Sequence, residues 1–273
     1  MKPGRIGLTI ANPGKESVYR RARRSGDFTR PDHEDTGLAG TKREPTKTTT
    51  TAELLRLPVG DSRTVSALLE VPERARACYV LAHGAGAGMT HPSLETVAAG
   101  LVERGIATLR FQFPYMEQKS RRPDPPPVAH ATVRAAVAEA GKRVPKLPLV
   151  AGGRSFGGRM TSQAQATSPL PGVKGLVFLA FPLHPAGKPS AERASHLFEV
   201  TIPMLFLQGT RDALADPTLL KPLCAKLGER ATLRLFDDAD HSFHVPARSG
   251  RTDAQIRAEM LDALAAWVDG VIA

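Results

Sequence analysis

From Ala52 onward the apolar positions fall into short strand-length runs separated by stretches with helical spacing. Leu54-Leu55-Arg56-Leu57-Pro58-Val59 and Val65-Ser66-Ala67-Leu68-Leu69-Glu70-Val71, joined by the turn-rich Gly60-Asp61-Ser62, predict an opening antiparallel hairpin. A buried strand over 77–82 follows, then an amphipathic helix over 93–103 stopped by Gly105, and a strand over 106–113. The same rule gives a helix over 131–142, a strand over 147–151, a helix from Phe156, and strands over 173–181 and 203–207. A helix over 217–227, a strand over 231–236 and a last helix over 252–271 complete the order. Strands alternating with helices predict an α/β fold, a mostly parallel doubly wound sheet of about seven to eight strands covered on both faces, with right-handed connections. The segment Arg121-Arg122-Pro123-Asp124-Pro125-Pro126-Pro127 reads as an extended loop, because proline continues neither a strand nor a helix.

Residues 1–51 have a different texture. They are rich in Gly, Pro, Thr, Arg and Lys, lack apolar periodicity, and carry Arg20-Arg21-Ala22-Arg23-Arg24 and Thr48-Thr49-Thr50-Thr51. Such a stretch is expected to be a disordered basic N-terminal extension, with the folded domain spanning 52–273. Residues 1–50 hold 11 Lys and Arg against 6 Asp and Glu, half of the chain's net charge of +10. The charge is therefore weak support for a nucleic-acid partner, beyond a weak role of that extension. Across all 273 residues, 41% hydrophobic and 23% charged is ordinary globular composition. No apolar run approaches the roughly 18 to 20 residues of a membrane span, and no apolar segment follows the arginines as an export signal requires, so no membrane partner and a cytoplasmic location are expected. The two cysteines, Cys78 and Cys224, lack metal or redox spacing and read as small buried apolar residues.

The candidate chemistry begins at Gly153-Arg154-Ser155-Phe156-Gly157, a G-x-S-x-G turn between an apolar strand and a small-residue helix start. Glycines there permit a strained bend that pushes a serine hydroxyl outward, which makes Ser155 the candidate nucleophile. A serine needs a base to take its proton and a third group to orient that base. Asp212 follows the strand over 203–207 and fits the orienting carboxylate, whereas Asp216, just before Pro217, fits a helix cap. His241 follows the final strand and fits the general base, with Phe243 able to anchor its loop and His244 as the competitor. Asp237, Asp238, Asp240 and the two histidines superficially resemble a metal site, but no second ligand group lies elsewhere at suitable spacing, so neither metal nor cofactor is expected. Backbone amides of Ala85, in His83-Gly84-Ala85-Gly86-Ala87-Gly88, and of Phe156 are the candidate oxyanion-hole donors. That glycine turn has the wrong spacing for dinucleotide binding.

With Ser155, Asp212, His241 and the His83-Gly84 loop in this order, the chain from about Leu54 to Ala273 resembles the α/β-hydrolase superfamily. Ala82 to Met89 with His91-Pro92, Arg110 to Glu117, and Phe181 to Pro189 running on to Arg193 and His196-Leu197 look like a narrower branch. It includes testis-expressed protein 30 and the hydrolase-like subunit of the non-specific-lethal acetyltransferase complex, and its bacterial members are dienelactone-hydrolase-like. The resemblance implies a serine-dependent carboxylic ester hydrolase working through an acyl-enzyme on a small or soluble acyl substrate. A thioesterase or acyltransferase using the same three residues, or a non-catalytic interaction protein, is the alternative. Dienelactone hydrolases proper carry a cysteine where this chain has Ser155, which argues against dienelactone itself as substrate. The connection between Phe181 and Pro203, bearing His184, Lys188, Arg193 and His196, is expected over the pocket, with no large lid insertion. Arg154, Lys188 or the Arg121-Arg122 pair would give the entrance a positive field favouring carboxylate-bearing substrates.

Overall fold

The computed structural model describes residues 52–273; the expected basic extension lies outside the described residues. Strands β1 (Glu53–Val59) and β2 (Arg63–Glu70) form the hairpin, and β3 (Ala77–Ala82), β4 (Ile106–Phe111), β5 (Leu149–Arg154), β6 (Val173–Leu179), β7 (Met204–Gly209) and β8 (Ala231–Phe236) follow. One eight-stranded sheet results, in the order β1-β2-β4-β3-β5-β6-β7-β8. β1 and β2 are antiparallel to their neighbours, and every pair from β4 to β8 is parallel. β3, β4 and β7 are buried at every position, as strands covered on both faces must be. β1 instead alternates buried and exposed residues, the mark of an antiparallel edge strand with one wet face.

The helices are α1 (Pro92–Glu103), α2 (Pro114–Glu117), α3 (Pro126–Arg143), α4 (Phe156–Thr167), α5 (Pro217–Leu227) and α6 (Asp253–Ile272). One apolar layer, under α1 and α6, joins Tyr79, Leu81, Leu101, Leu205, Ile256 and Leu264; the other, under α3, α4 and α5, joins Val80, Phe111, Val133, Met160, Phe206 and Leu220. This is the α/β-hydrolase fold. Cys78 and Cys224 are buried in the second layer as free thiols, and burial pushes them up to about 12 and about 11. Among the described residues no helix is long and apolar enough to cross a membrane.

The proline-rich segment departs from expectation. α3 begins at Pro126, five residues before the predicted start, with Pro125 as its N-cap. In the first helical turn the missing proline N–H is one that no carbonyl would bond anyway, so Pro126 and Pro127 open the helix instead of excluding it. Only 121–125 remain outside helix, and Asp124 fastens them by accepting from the Tyr115 N–H at 3.0 Å. Two further short elements escaped the periodicity, α2 and the 3-10 segment Glu192–Glu199. The strand predicted over 147–151 runs instead from Leu149 to Arg154, directly into the turn that holds Ser155.

Candidate active site

The parallel strands deliver their chemical residues to one edge of the sheet, the carboxyl ends of β3, β5, β7 and β8. Between β5 and α4, Ser155 adopts φ 48° and ψ −114°, a backbone region that costs a non-glycine residue about 1–3 kcal/mol. Close packing forces the turn. A Cβ on Gly152 would stand 1.9 Å from the Val177 carbonyl oxygen, one on Gly153 would stand 2.2 Å from that of Ala82, and one on Gly157 2.5 Å from that of His83. The bend is therefore wedged between β3 and β6 with room for nothing beyond hydrogen at these three positions.

Asp212 and His241 converge on this serine. His241 Nε2 lies 2.8 Å from Ser155 Oγ, and His241 Nδ1 lies 2.7 Å from Asp212 Oδ2. A carboxylate only accepts, so Nδ1 carries the imidazole proton and Nε2 presents its lone pair to the serine hydroxyl. The arrangement can move a proton from Ser155 to His241 while the carboxylate holds the ring. The Asp212 side chain is fully buried, and Leu214 N–H donates to its Oδ1 at 2.8 Å while Gln208 Nε2 donates to Oδ2. Phe243 is buried edge-on against Phe236, 5.7 Å between centroids, and pins the His241 loop from behind as expected.

The two competitors fall elsewhere. His244 pairs with Asp253 at 2.9 Å, which raises its affinity for a proton and engages its ring away from Ser155. Asp216 caps α5, accepting from Thr218 N–H at 2.8 Å. The acidic cluster has ordinary turn chemistry: Asp240 accepts the Ser242 and His244 amides at 2.7 and 3.0 Å. Among the described residues no three His, Cys, Asp or Glu side chains are grouped to hold a metal.

The Phe156 amide is the first of α4, and a helix leaves its first N–H groups without internal acceptors. Among the described residues neither it nor the Ala85 amide meets a protein acceptor. Ala85 is exposed on the loop whose preceding residue, Gly84, packs over Arg154. His83 anchors that loop from below. Its Nδ1 meets the Gly84 carbonyl at 2.8 Å, so it carries the proton, and Nε2 accepts the Phe113 N–H at 3.0 Å. Burial pulls the His83 imidazole down to about 4, against the smaller opposing effect of its Gly84 bond. The ring thus stays neutral and joins the ends of β3 and β4.

Two residues have roles that sequence reasoning missed. Gln208 orients Asp212, and its only signal was an amide inside the otherwise apolar end of β7. Arg154, expected to supply entrance charge, instead donates through Nη2 to the His241 carbonyl at 3.2 Å and so ties the turn of Ser155 to the histidine loop. Burial lowers the Arg154 affinity for its proton, with Asp240 and Asp212 opposing. Lys188, Arg121 and Arg122 stand exposed.

Known structures share this framework at low identity. A dienelactone hydrolase from Anabaena variabilis is 19% identical, with 81% of this chain and 96% of that one covered and a TM-score of 0.63. An α/β serine hydrolase without a lid from Xanthomonas campestris is 23% identical over 82% and 96% of the two chains, TM-score 0.60. A cold-adapted esterase from an Arctic intertidal metagenomic library is 21% identical over 82% and 97%, TM-score 0.59. Residues 75–269 match the family described as alpha/beta hydrolase domain, a span that holds Ser155, Asp212, His241, Ala85 and Phe156, and the chain belongs to that family of hydrolases.

Proposed function

We propose that the domain spanning 52–273 is a serine-dependent hydrolase of carboxylic esters, acting through an acyl-enzyme on a small or soluble substrate. The observation that carries this reading is the continuous chain from Ser155 Oγ through both nitrogens of His241 to Asp212. Ser155 Oγ attacks the ester carbonyl as its proton passes to His241 Nε2, and the carbonyl oxygen becomes an anion received by the Ala85 and Phe156 amides. The alcohol leaves with the proton from His241. Water then gives a proton to His241 and attacks the acyl carbon, and Ser155 recovers its hydrogen as the acid departs. The esterase name of one structural neighbour favours ester over amide cleavage. Assignment to the branch of testis-expressed protein 30 rests on the sequence stretches around His83, Arg110 and His184 alone.

Fluorophosphonate labelling of the full chain tests the reading. Wild type is expected to label, and Ser155→Ala and His241→Ala to lose labelling, since removing either member of a working triad costs on the order of a million-fold in turnover. Folded wild-type protein that does not label refutes the serine mechanism and leaves an interaction protein built on the hydrolase fold.

A further inference from the structure

One side of α4 gathers basic residues that meet no acid among the described residues. Arg159 leaves the first turn of α4, its N–H bonded to the Ser155 carbonyl at 3.1 Å. His130 of α3 approaches the same helix, its Nε2 3.3 Å from Gln163 Oε1. From the segment Glu192–Glu199, which also carries Arg193, His196 Nε2 reaches Ser162 Oγ at 2.7 Å, and burial, with Arg193 adding to it, lowers the Arg159 affinity for its proton. Burial, with Arg159 adding to it, pulls His196 down to about 4, so this imidazole is neutral and the two guanidiniums carry the charge. Among the described residues neither Arg159 nor Arg193 has a carboxylate within 4.0 Å, and their guanidinium groups bond no protein acceptor. Arg159 Nε is buried with no partner at all.

Two half-buried guanidiniums that feel each other's charge repel and lose solvation, a cost that proteins ordinarily offset with a carboxylate. Among the described residues no carboxylate supplies that offset, so the pair presents its charge to an anionic ligand. Guanidinium presents a planar fork of donors that matches an oxyanion. Side chains on a helix lean toward its N-terminus, so Arg159 leans toward the end of α4 that bears Ser155. The four-residue separation is about 6 Å along the axis, the reach of a short acyl chain ending in an anionic group.

We propose that Arg159 and Arg193, flanked by His130 and His196, form an oxyanion-binding site beside Ser155 that takes a carboxylate or phosphate group carried by the substrate. This rests on the hydrolase reading above for the source of the anion, though not for the existence of the site. The anion it takes is one the substrate already carries in the ground state, distinct from the oxyanion that forms at the Ala85 and Phe156 amides. Hydrolysis would proceed on a half-ester whose free acid end is gripped by the arginines.

Two measurements on the full chain separate the site from the chemistry. Binding of inorganic phosphate and of glutarate is measured by calorimetry on wild type, Arg159→Gln, Arg193→Gln and Arg159→Lys. Each Gln variant is expected to weaken binding by roughly tenfold or more, as for loss of a charged hydrogen bond, with Arg159→Lys intermediate because it keeps the charge without the fork. Equal binding by wild type and both Gln variants, or no binding by folded wild type, overturns the proposal whether or not Ser155 labels. The second measurement is the ratio of kcat/KM for the 4-nitrophenyl half-ester of glutaric acid to that for 4-nitrophenyl butyrate. That ratio is expected to fall about tenfold in Arg159→Gln and Arg193→Gln. An unchanged ratio together with weakened phosphate binding would refute the substrate as the source of the anion and mark a free inorganic anion as the occupant. Failure of fluorophosphonate labelling in wild type would refute the serine mechanism while the calorimetry still decides the site.

Discussion

Replacing Asp212 by asparagine separates the orienting role of that residue from its role in stability. Asp212 Oδ2 receives two donors, His241 Nδ1–H and Gln208 Nε2, while Oδ1 receives the Leu214 N–H. The asparagine side chain keeps its carbonyl oxygen on Leu214 and turns its NH2 toward the histidine and the glutamine. Gln208 is able to answer, because its Oε1 is buried without a partner and a flip of the amide makes it an acceptor. His241 answers by moving its proton from Nδ1 to Nε2, so that Nδ1 accepts from the introduced amide. The flip leaves the Gln208 NH2 where Oε1 had no partner, so one buried donor is unmet and the expected loss of stability is about 1–3 kcal/mol. The same proton now sits between His241 Nε2 and Ser155 Oγ, where the ring can no longer accept from the serine. Holding the wrong tautomer costs on the order of 10⁴ in kcat, or about 5 kcal/mol of barrier. Asp212→Ala, by contrast, strands three donors in a buried site, each costing about 1–3 kcal/mol, and is expected to lower Tm by several degrees as well as to abolish turnover. Thermal melts of the two variants beside wild type, with the rate of fluorophosphonate labelling and of ester hydrolysis, make the comparison. Asp212→Asn within tenfold of wild type, or as unstable as Asp212→Ala, would refute the tautomer argument.

Three further outcomes follow from packing and burial. His83 is pulled to about 4 in the fold from 6.5, so between these values the unfolded chain binds more protons; its contribution is whole above pH 6.5 and is lost as pH falls toward 4, by up to about 3 kcal/mol. Denaturant midpoints at pH 7.5 and 4.5 are expected to differ less in His83→Gln than in wild type, and equal differences would refute the assignment. Gly153→Ala, with its Cβ 2.2 Å from the Ala82 carbonyl oxygen and φ 148°, is expected to cost about 3 kcal/mol or more. Gly141→Ala, on an exposed helical position of α3 whose nearest contact is 4.0 Å, is expected to gain about 0.5–1 kcal/mol; urea unfolding of the pair checks both signs.

The parts of this site that could be read from sequence are those that the backbone alone decides. Gly153 and Gly157 are visible because the packing of β5 between β3 and β6 leaves no space for a side chain, so the steric demand is written in residue type. Asp212 and His241 are visible because parallel strands deliver their following loops to one edge, so chain order alone predicts that they meet. What stayed hidden depends on where a side chain points. Proline at 126 reads as a breaker unless one knows that it occupies the first helical turn, where its missing N–H costs nothing. Arg154 reads as entrance charge, yet the strained turn at Ser155 aims it at the His241 carbonyl, where it braces the loop of His241. The group at His130, Arg159, Arg193 and His196 comes from three segments and has no motif at all; only the helix packing brings it together. The same physics separates the two kinds of residue. Ser155, Asp212 and His241 are held by bonds within the fold, so their geometry is complete without a ligand, whereas the charge on Arg159 and Arg193 meets no carboxylate among the described residues. A site finished internally specifies the reaction, and a site left electrostatically unfinished is where the identity of the substrate has to be sought.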